Sequence, residues 1–245
     1  RASFGKPHLS HSPERVAREL QHLADLGVNG VYFVDDLLAL TKKGLMDLCA
    51  AIEKADTGIS WCAQMRAADI DDEVAEALKS SGCASVACGI ESGSDRMLRL
   101  MKKGTTVSEM LEGVKALKRA GVGLVAYMII GAPDESMEDR ALTLRLAEEM
   151  DADIVQVHIF ASYPGTTANQ MRPDLGAMGA TKFIPAPDRS DHDELLRVQK
   201  AFYRKYYLRP DRLIQHALHR IPRILSDPRA EIGAAWRLIR HAALP

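Results

Sequence analysis

The chain has 245 residues, of which 47% are hydrophobic and 27% charged, and its formal net charge is −1. A chain of this length and composition folds around one large hydrophobic core or two modest ones. No apolar run approaches the roughly 18 to 20 residues that a membrane-spanning helix needs, and the first residues lack a basic-then-apolar signal pattern. We therefore expect a globular, cytoplasmic protein.

Helices and strands alternate along the first 165 residues. The first helix begins at Ser12, an N-cap followed by Pro13 at the first helical position, and it ends at Gly27. The strand VNGVYFV follows, and four more helix–strand pairs end in the strands ISWCAQM, SVACGI, VGLVAYMII and IVQVHIF. Successive strands begin 26 to 37 residues apart, the length of a βα unit, which predicts an α/β domain with at least five parallel strands.

The faces of the strands distinguish a barrel from a doubly wound sheet. In the fifth strand, three apolar residues from Val155 to Ile159 alternate with Gln156, His158 and Phe160. One apolar face and one polar face suit helices outside and a lined cavity inside, whereas a doubly wound sheet needs two apolar faces. The first helix also has no strand before it. We therefore predict a partial parallel βα barrel, TIM-like, that lacks its first strand.

All five strands end in polar residues or glycine, at the edge where parallel α/β folds keep their sites. The groups are Asp35 and Asp36, then Gln64 and Arg66, then Glu91, then Gly131 with APDES, and finally SYPGT. Gly89 leaves bare backbone beside Glu91, and the carboxylates suit ribose hydroxyls or an ammonium group. The set favours a zwitterionic amino acid joined to a nucleoside. Plainer alternatives are loop caps for the aspartates, turns for the glycine segments, and a core position for His158.

Four motifs in this order, VYFVDD, GIESGSDRMLRLMKKGTT, MIIGAPDESMED and ASYPGT, resemble the core of radical S-adenosylmethionine enzymes. The closest resemblance is to the branch with an N-terminal cobalamin-binding domain, and it covers about residues 12 to 166. It implies a partial six-stranded βα barrel that holds a four-iron four-sulfur cluster and S-adenosylmethionine. Cobalamin is implied as a further cofactor.

The resemblance also implies which residues meet S-adenosylmethionine at the strand ends. Those expected near its amino group, carboxylate and ribose are Asp35, Asp36, Gln64, Arg66, Glu91 and Ser92. Those expected at the adenine are Gly131, Pro133 and Phe160. No catalytic residue and no metal ligand is assigned within the chain.

The family binds its cluster through three cysteines spaced C-x3-C-x2-C after the first strand, and this chain has no such triplet. Its four cysteines, Cys49, Cys62, Cys83 and Cys88, match no disulfide or zinc framework, and we expect them to be buried. We expect Arg1 to lie downstream of the cluster loop. The chain is then either a fragment or a degenerate, cluster-free nucleoside-binding module.

The charge of the chain changes sign at Leu196. Residues 196–245 contain 11 Lys and Arg and 3 Asp and Glu, whereas residues 1–195 contain 21 Lys and Arg and 30 Asp and Glu. We expect a barrel over residues 1–170, a linker over 171–195 and a basic helical extension over 196–245. Tyrosines beside basic residues suit an anionic membrane surface or a lipid-like substrate, and a cap resting on the acidic barrel is the alternative. Nucleic acid is disfavoured, since no recognition motif accompanies the charge.

These features together predict the S-adenosylmethionine-binding part of a radical enzyme that draws on a reductant for its cluster. We expect a cobalamin-dependent methyltransferase or an oxidoreductase that acts on an apolar or natural-product-like small molecule. A phosphate-binding, aldolase-like barrel is an alternative, disfavoured because no lysine lies in the five strands.

The absent cysteine triplet predicts that residues 1–245 alone bind no iron–sulfur cluster stoichiometrically, because such clusters need thiolates at close, defined spacing. Anaerobic reconstitution followed by iron and sulfide analysis should give far less than one cluster per chain. About four irons per chain would instead identify Cys83 and Cys88 as ligands.

Overall fold

The computed structural model describes residues 10–35, 37–162 and 190–210. It contains a five-stranded parallel sheet whose strands are β1 (Gly30–Tyr32), β2 (Ser60–Met65), β3 (Cys83–Glu91), β4 (Gly123–Ile130) and β5 (Ile154–Ile159). The strands lie in consecutive order. Each right-handed crossover therefore runs in the same direction, which puts the helices on one face and curves the sheet into half a barrel. The predicted partial barrel is confirmed, since a doubly wound sheet would reverse its strand order.

Helices lie between the strands, and most begin where the sequence signals a start. They are α1 (Pro13–Asp25), α2 (Lys42–Ala55), α3 (Asp72–Ser80), α4 (Asp95–Leu100), α5 (Val107–Ala120), α6 (Met137–Met150) and α7 (His192–Tyr207), with a 3-10 turn at Ala67–Asp69. Each of the first six begins with a Ser, Thr or Asp side chain that accepts a hydrogen bond from the first turn. None of the helices within the described ranges is long and apolar enough to cross a membrane.

The two faces of the sheet differ as the alternation of residues predicts. Trp61 and Ala63 in β2 and Val155 and Val157 in β5 are at most 1% exposed, on the face that packs against helices. We call the opposite face of the sheet the open face. Gln156 and His158 of β5 are exposed on it, and most of the residues that β2 and β4 contribute to it are half-buried. The alternative of a core position for His158 is therefore wrong.

Strand lengths depart from the sequence pattern mainly at the edge. Only Gly30–Tyr32 of the predicted strand VNGVYFV has strand geometry, although the N–H of Phe33 still donates to the carbonyl of Cys62 at 2.9 Å. In the described part of the chain, β1 pairs with β2 alone, so one side of it receives no ladder hydrogen bonds. Strand β3 begins two residues earlier than its apolar run suggests.

Several predictions fall outside the described residues: those for Asp36, for the YPGT segment, for most of the linker and for the extension beyond residue 210. The chain divides into two compact units, Arg1–Leu196 and Arg197–Pro245. Within the second unit, the rings of Phe202 and Tyr206 stack with their centroids 5.4 Å apart.

Backbone contact fixes helix α5 against the turn that follows β2. A Cβ atom added to Gly113 would collide with the carbonyl oxygen of Ala67 and would lie 3.2 Å from that of Ile70. Helix α5 therefore rests directly on the 3-10 turn that begins after Arg66, one of the predicted site residues. The absence of a side chain at Gly113 sets how closely the two segments approach.

We expect Gly113→Ala to destabilise the protein, although alanine favours a helix interior by about 1 kcal/mol over glycine. The clash is with backbone that cannot rotate away, so the net loss should be about 1 to 3 kcal/mol of unfolding free energy. Thermal denaturation measures it. The control is Gly44→Ala in α2, whose Cβ would meet only the Thr41 hydroxyl at 3.2 Å and should leave Tm nearly unchanged. Equal melting of both variants would contradict the packing argument.

Candidate functional site

The predicted site residues that the structure describes lie at the carboxyl edge of the sheet. Backbone hydrogen bonds join their segments: the N–H of Leu38 donates to the carbonyl of Gln64 at 3.2 Å, and the N–H of Phe160 donates to that of Ile130 at 2.8 Å. Asp35 is exposed just after β1, while Gln64 is half-buried on the open face. Consecutive strands thus bring residues from far apart in the chain to one rim.

Glu91 ends β3 in an unusual backbone conformation. Its φ is 67°, in the left-handed region that residues other than glycine rarely adopt. The pairing with β4 shifts register between Gly89 and Glu91, so Ile90 has no partner in the ladder. Bulges of this kind redirect a side chain and are common beside active sites. Simple alternation along the strand therefore does not describe where Glu91 points.

The Glu91 carboxylate pairs with the ammonium group of Lys103, which follows α4. Their Oε1 and Nζ atoms are 3.0 Å apart, and both side chains are 23% exposed. A Cβ atom on Gly89 would lie 2.5 Å from Glu91 Oε1 and 3.1 Å from Lys103 Nζ. The room that Gly89 leaves is therefore occupied by this ion pair, rather than left bare.

A second cation lies next to this pair at the end of β2. The guanidinium of Arg66 donates to the carbonyl of Gly104 at 3.4 Å, and its Nε is 3.9 Å from Asp69 Oδ2. Because Gly104 directly follows Lys103, both basic residues approach the same loop. Beside Arg66 a cavity of about 270 Å³ opens. Its lining is mixed: the apolar residues Leu37, Ala39, Leu40, Leu45, Met65 and Ile70, and the polar or charged residues Thr41, Lys42, Arg66 and Asp69.

Gly131 is held in place by a buried carboxylate four residues later. Its φ is 74°, and its N–H donates to Glu135 Oε2 at 2.7 Å. The Glu135 side chain, 2% exposed, also accepts from Arg140 Nε at 2.9 Å, and Arg140 reaches Glu194 at 2.9 Å. Burial raises the pKa of Glu135 against the opposing effects of the Gly131 N–H and Arg140. The buried Glu135 carboxylate thus fixes the backbone of the predicted adenine segment at Gly131.

Ser92 differs from the other predicted contacts because its hydroxyl already has protein partners. The residue is 1% exposed, and its Oγ lies 3.0 Å from the Thr143 hydroxyl and accepts from the N–H of Ser94 at 3.1 Å. Its predicted contact with the cofactor stays a prediction. The observed bonds connect the loop after β3 to helix α6.

Tyr127 and His158 supply aromatic groups on the open face. Their rings meet edge to face with centroids 6.0 Å apart. Burial, together with the neighbouring Tyr32, raises the pKa of the Tyr127 phenol. These groups lie on the open face of β4 and β5, before the carboxyl ends of the strands.

Sequence reasoning missed Lys103, Glu135 and Tyr127. Lys103 lies twelve residues after Glu91, beyond a short helix, and no periodicity in the sequence indicates that its side chain pairs with Glu91. Glu135 carries a signal in retrospect: it is an acidic residue four positions after the glycine that ends an apolar strand.

In the described ranges, no group of three or more His, Cys, Asp and Glu side chains is placed to hold a metal ion. Burial raises the pKa values of Cys83 and Cys88 to about 12, so both thiols stay protonated. Cys62 lies on the open face, where its sulfur accepts from the Ser85 hydroxyl at 3.2 Å. The described residues therefore do not fit an iron–sulfur cluster.

The contact over Gly89 predicts a specific coupling. Gly89→Ala should cost about 1 to 3 kcal/mol of unfolding free energy, because its new methyl group meets the Glu91 carboxylate. In a Glu91→Ala background most of that cost should vanish. Chemical denaturation of the four members of the double-mutant cycle measures the coupling. Additive costs would show that the carboxylate does not lie over Gly89.

Two relatives show the extent of the similarity. An uncharacterized methyltransferase of Pyrococcus horikoshii is 34% identical over 221 residues, which cover 86% of this chain and 48% of that protein. An anaerobic magnesium-protoporphyrin IX monomethyl ester cyclase of Rubrivivax gelatinosus is 23% identical, over 84% of this chain and 39% of its own. The chain thus spans about half or less of the length of these relatives.

Solved structures agree on the fold. The radical S-adenosylmethionine methyltransferase TsrM of Kitasatospora setae, solved with cobalamin and a 4Fe-4S cluster, superposes with a TM-score of 0.61 at 18% identity, over 72% of this chain and 38% of its own. Coproporphyrinogen III oxidase of Escherichia coli, a radical SAM enzyme, gives 0.59 at 17% identity, over 80% and 45%. Residues 2–147, more than half of the chain, match the model of the Radical SAM superfamily, and the chain accordingly belongs to this enzyme family.

Proposed function

We propose that this chain forms the S-adenosylmethionine-binding part of a radical methyltransferase. The observation that carries the proposal is the Glu91–Lys103 ion pair at the end of β3, with Arg66 at the neighbouring strand end. One carboxylate and two cations on one rim complement the ammonium and carboxylate groups of a methionyl moiety. The chemistry of these residues fits the family's cofactor.

In this proposal, each side chain acts by binding and orienting. Glu91 accepts hydrogen bonds from the ammonium group or the ribose hydroxyls, while Lys103 and Arg66 hold the carboxylate. The backbone at Gly131 and Pro133 meets the adenine, and Glu135 keeps that backbone in place. The remaining contacts of the proposed site are Asp35, Asp36, Gln64, Ser92 and Phe160.

When bound, S-adenosylmethionine would supply a methyl group or radical chemistry to the reaction. The chain contributes position, since its polar groups lie together at the rim of the sheet. We assign no step to the iron–sulfur cluster, because the described residues do not fit it. Cobalamin is proposed as a further cofactor because this chain shares its fold with an enzyme that was solved with cobalamin bound.

Two observations support an apolar, natural-product-like substrate. Leucine, methionine and isoleucine make up half of the residues that line the cavity beside Arg66. The basic composition from Leu196 onward supports contact with an anionic membrane surface or a lipid-like molecule. Methylation is favoured over oxidation by the similarity to an uncharacterized methyltransferase, which is 34% identical over 221 residues.

Glu91→Ala should weaken S-adenosylmethionine binding more than His158→Ala does. A partly buried carboxylate in a charged hydrogen bond is worth about 1.5 to 3 kcal/mol, and its loss also leaves Lys103 without a partner. That corresponds to roughly a 10- to 150-fold increase in Kd. Calorimetry on the full-length, cluster-loaded protein decides the matter, and His158→Ala is the control on the open face. Equal affinities of wild type and Glu91→Ala would refute the assignment.

A further inference from the structure

Asp139, in the first turn of α6, bonds to the loops that follow both β3 and β4. The first of these loops begins directly after Glu91, and the second contains the Gly131–Pro133 segment. Glu91 and this segment are the two halves of the proposed cofactor site. We infer that Asp139 is a positioning residue that sets the spacing of these two loops and thereby the affinity for the cofactor. The inference rests on the proposed function and adds to it a residue that touches neither the cofactor nor the substrate.

The bonds to the β4 side are those of a helix cap. Asp139 Oδ2 accepts from the N–H of Ser136 at 2.9 Å and from its hydroxyl at 2.6 Å, and the Ser136 hydroxyl accepts from the Asp139 N–H at 3.1 Å. This capping box fixes the end of the loop that begins at Gly131.

The bonds to the β3 side are additional to the cap. Asp139 Oδ1 accepts from the Ser94 hydroxyl at 2.5 Å, and the carboxylate pairs with the guanidinium of Arg96. Arg96 also donates to the backbone carbonyl of Asp134 at 2.6 Å. Arg96 lies in α4, on the β3 side, yet it bonds to the loop after β4. Its side chain thus connects the two halves of the site.

Helix α6 touches the β3 loop again one turn later. The Thr143 hydroxyl accepts from the N–H of Gly93 at 3.0 Å and lies 3.0 Å from the Ser92 hydroxyl. A Cβ atom on Gly93 would collide with the carbonyl of Leu142 and approach the Thr143 Cα to 2.9 Å. The loop thus lies against the helix backbone, with Asp139 at one end of the contact and Thr143 at the other.

The ionised carboxylate is essential to this arrangement. Arg96, Ser136 and Ser94, in that order, hold the pKa of Asp139 well below its usual range, so it stays charged at physiological pH. Its side chain is only 6% exposed. Oδ1 accepts from Ser94 and Arg96 on the β3 side, while Oδ2 accepts from Ser136 on the β4 side and also from Arg96. An asparagine at this position has one acceptor oxygen, and its amide group would face N–H or O–H donors.

A matched control separates positioning from capping. Helix α5 has the same kind of capping box, in which Glu109 Oε2 accepts from the N–H of Thr106 at 2.8 Å and from the Thr105 hydroxyl at 3.0 Å. Among the described residues, the Glu109 carboxylate hydrogen-bonds only within its own N-terminal segment. Arg66 also lowers the pKa of this exposed carboxylate, but less than these hydrogen bonds do. Glu109→Gln removes a capping carboxylate and leaves the spacing of the β3 and β4 loops alone. Arg96→Gln does the reverse, because it leaves the Ser136–Asp139 cap intact.

The test measures the Kd for S-adenosylmethionine by calorimetry on the full-length, cluster-loaded protein, together with Tm and hydrogen–deuterium exchange. We expect Asp139→Asn and Arg96→Gln each to raise Kd about tenfold or more, the effect of one lost charge-assisted hydrogen bond. Exchange should quicken in both residues 92–96 and residues 132–136. Glu109→Gln should lower Tm through the loss of its exposed cap and leave Kd within about twofold of wild type.

Wild-type affinity in Arg96→Gln, or faster exchange in only one of the two loops, would overturn the inference and reduce Asp139 to a helix cap. Arg96→Gln decides the matter even where Asp139→Asn fails to fold. A wild-type protein that binds no S-adenosylmethionine would overturn the proposed function itself. Normal binding in wild type and variants alike would overturn the positioning role alone.

Discussion

The consecutive, parallel pairing of the five strands is the constraint on which the rest of the structure depends. It sends every helical crossover to one face and leaves the other face open. It also brings the carboxyl ends of all five strands to a single rim. Glu91, Arg66 and Gly131 are far apart in the chain, yet they lie at the same edge because their strands are neighbours in the sheet. A change in strand order would separate them even if every local motif survived.

Tertiary contacts at this rim come mainly from loops and helix starts rather than from strands. Lys103 returns from beyond α4 to pair with Glu91, and Glu135 turns back to hold Gly131. Arg96 and Asp139 join two such loops through side chains. The site therefore combines a rigid sheet with loops that fix one another. This division is the one expected of a cofactor site. The sheet orients the residues that contact the cofactor, and the residues behind them fix the spacing of the loops.

Most of the fold could be predicted from the sequence, because its signals are local. N-caps such as Ser12 and Thr106 mark helix starts, and the alternation of Val155, Gln156 and Val157 predicts which face of β5 is buried. The orientation of Glu91 could not be predicted in the same way. A bulge and a left-handed residue break the alternation there, and the energy of that conformation is offset by a partner from a distant loop.

The hydrogen bonds of Ser92 show the same limit for a different reason. Its position after β3 suggests a ligand contact, but Thr143, 51 residues later, lies beside its hydroxyl. A short polar side chain at a strand end can face the ligand or the supporting helix, and only packing decides between them. Sequence motifs predict that these residues lie at the strand ends and leave this choice open.

A continuous line of charged and polar contacts leads to the loop after β4. It is formed by Glu194, Arg140, Glu135 and the N–H of Gly131. Its two ends lie in different dielectric surroundings, since the Glu194 side chain is 50% exposed and that of Glu135 only 2%. Dissolved ions screen the outer pair far more than the inner one. Arg140 therefore keeps its buried partner when ionic strength rises, and the loop at Gly131 is insulated from the salt concentration around the protein.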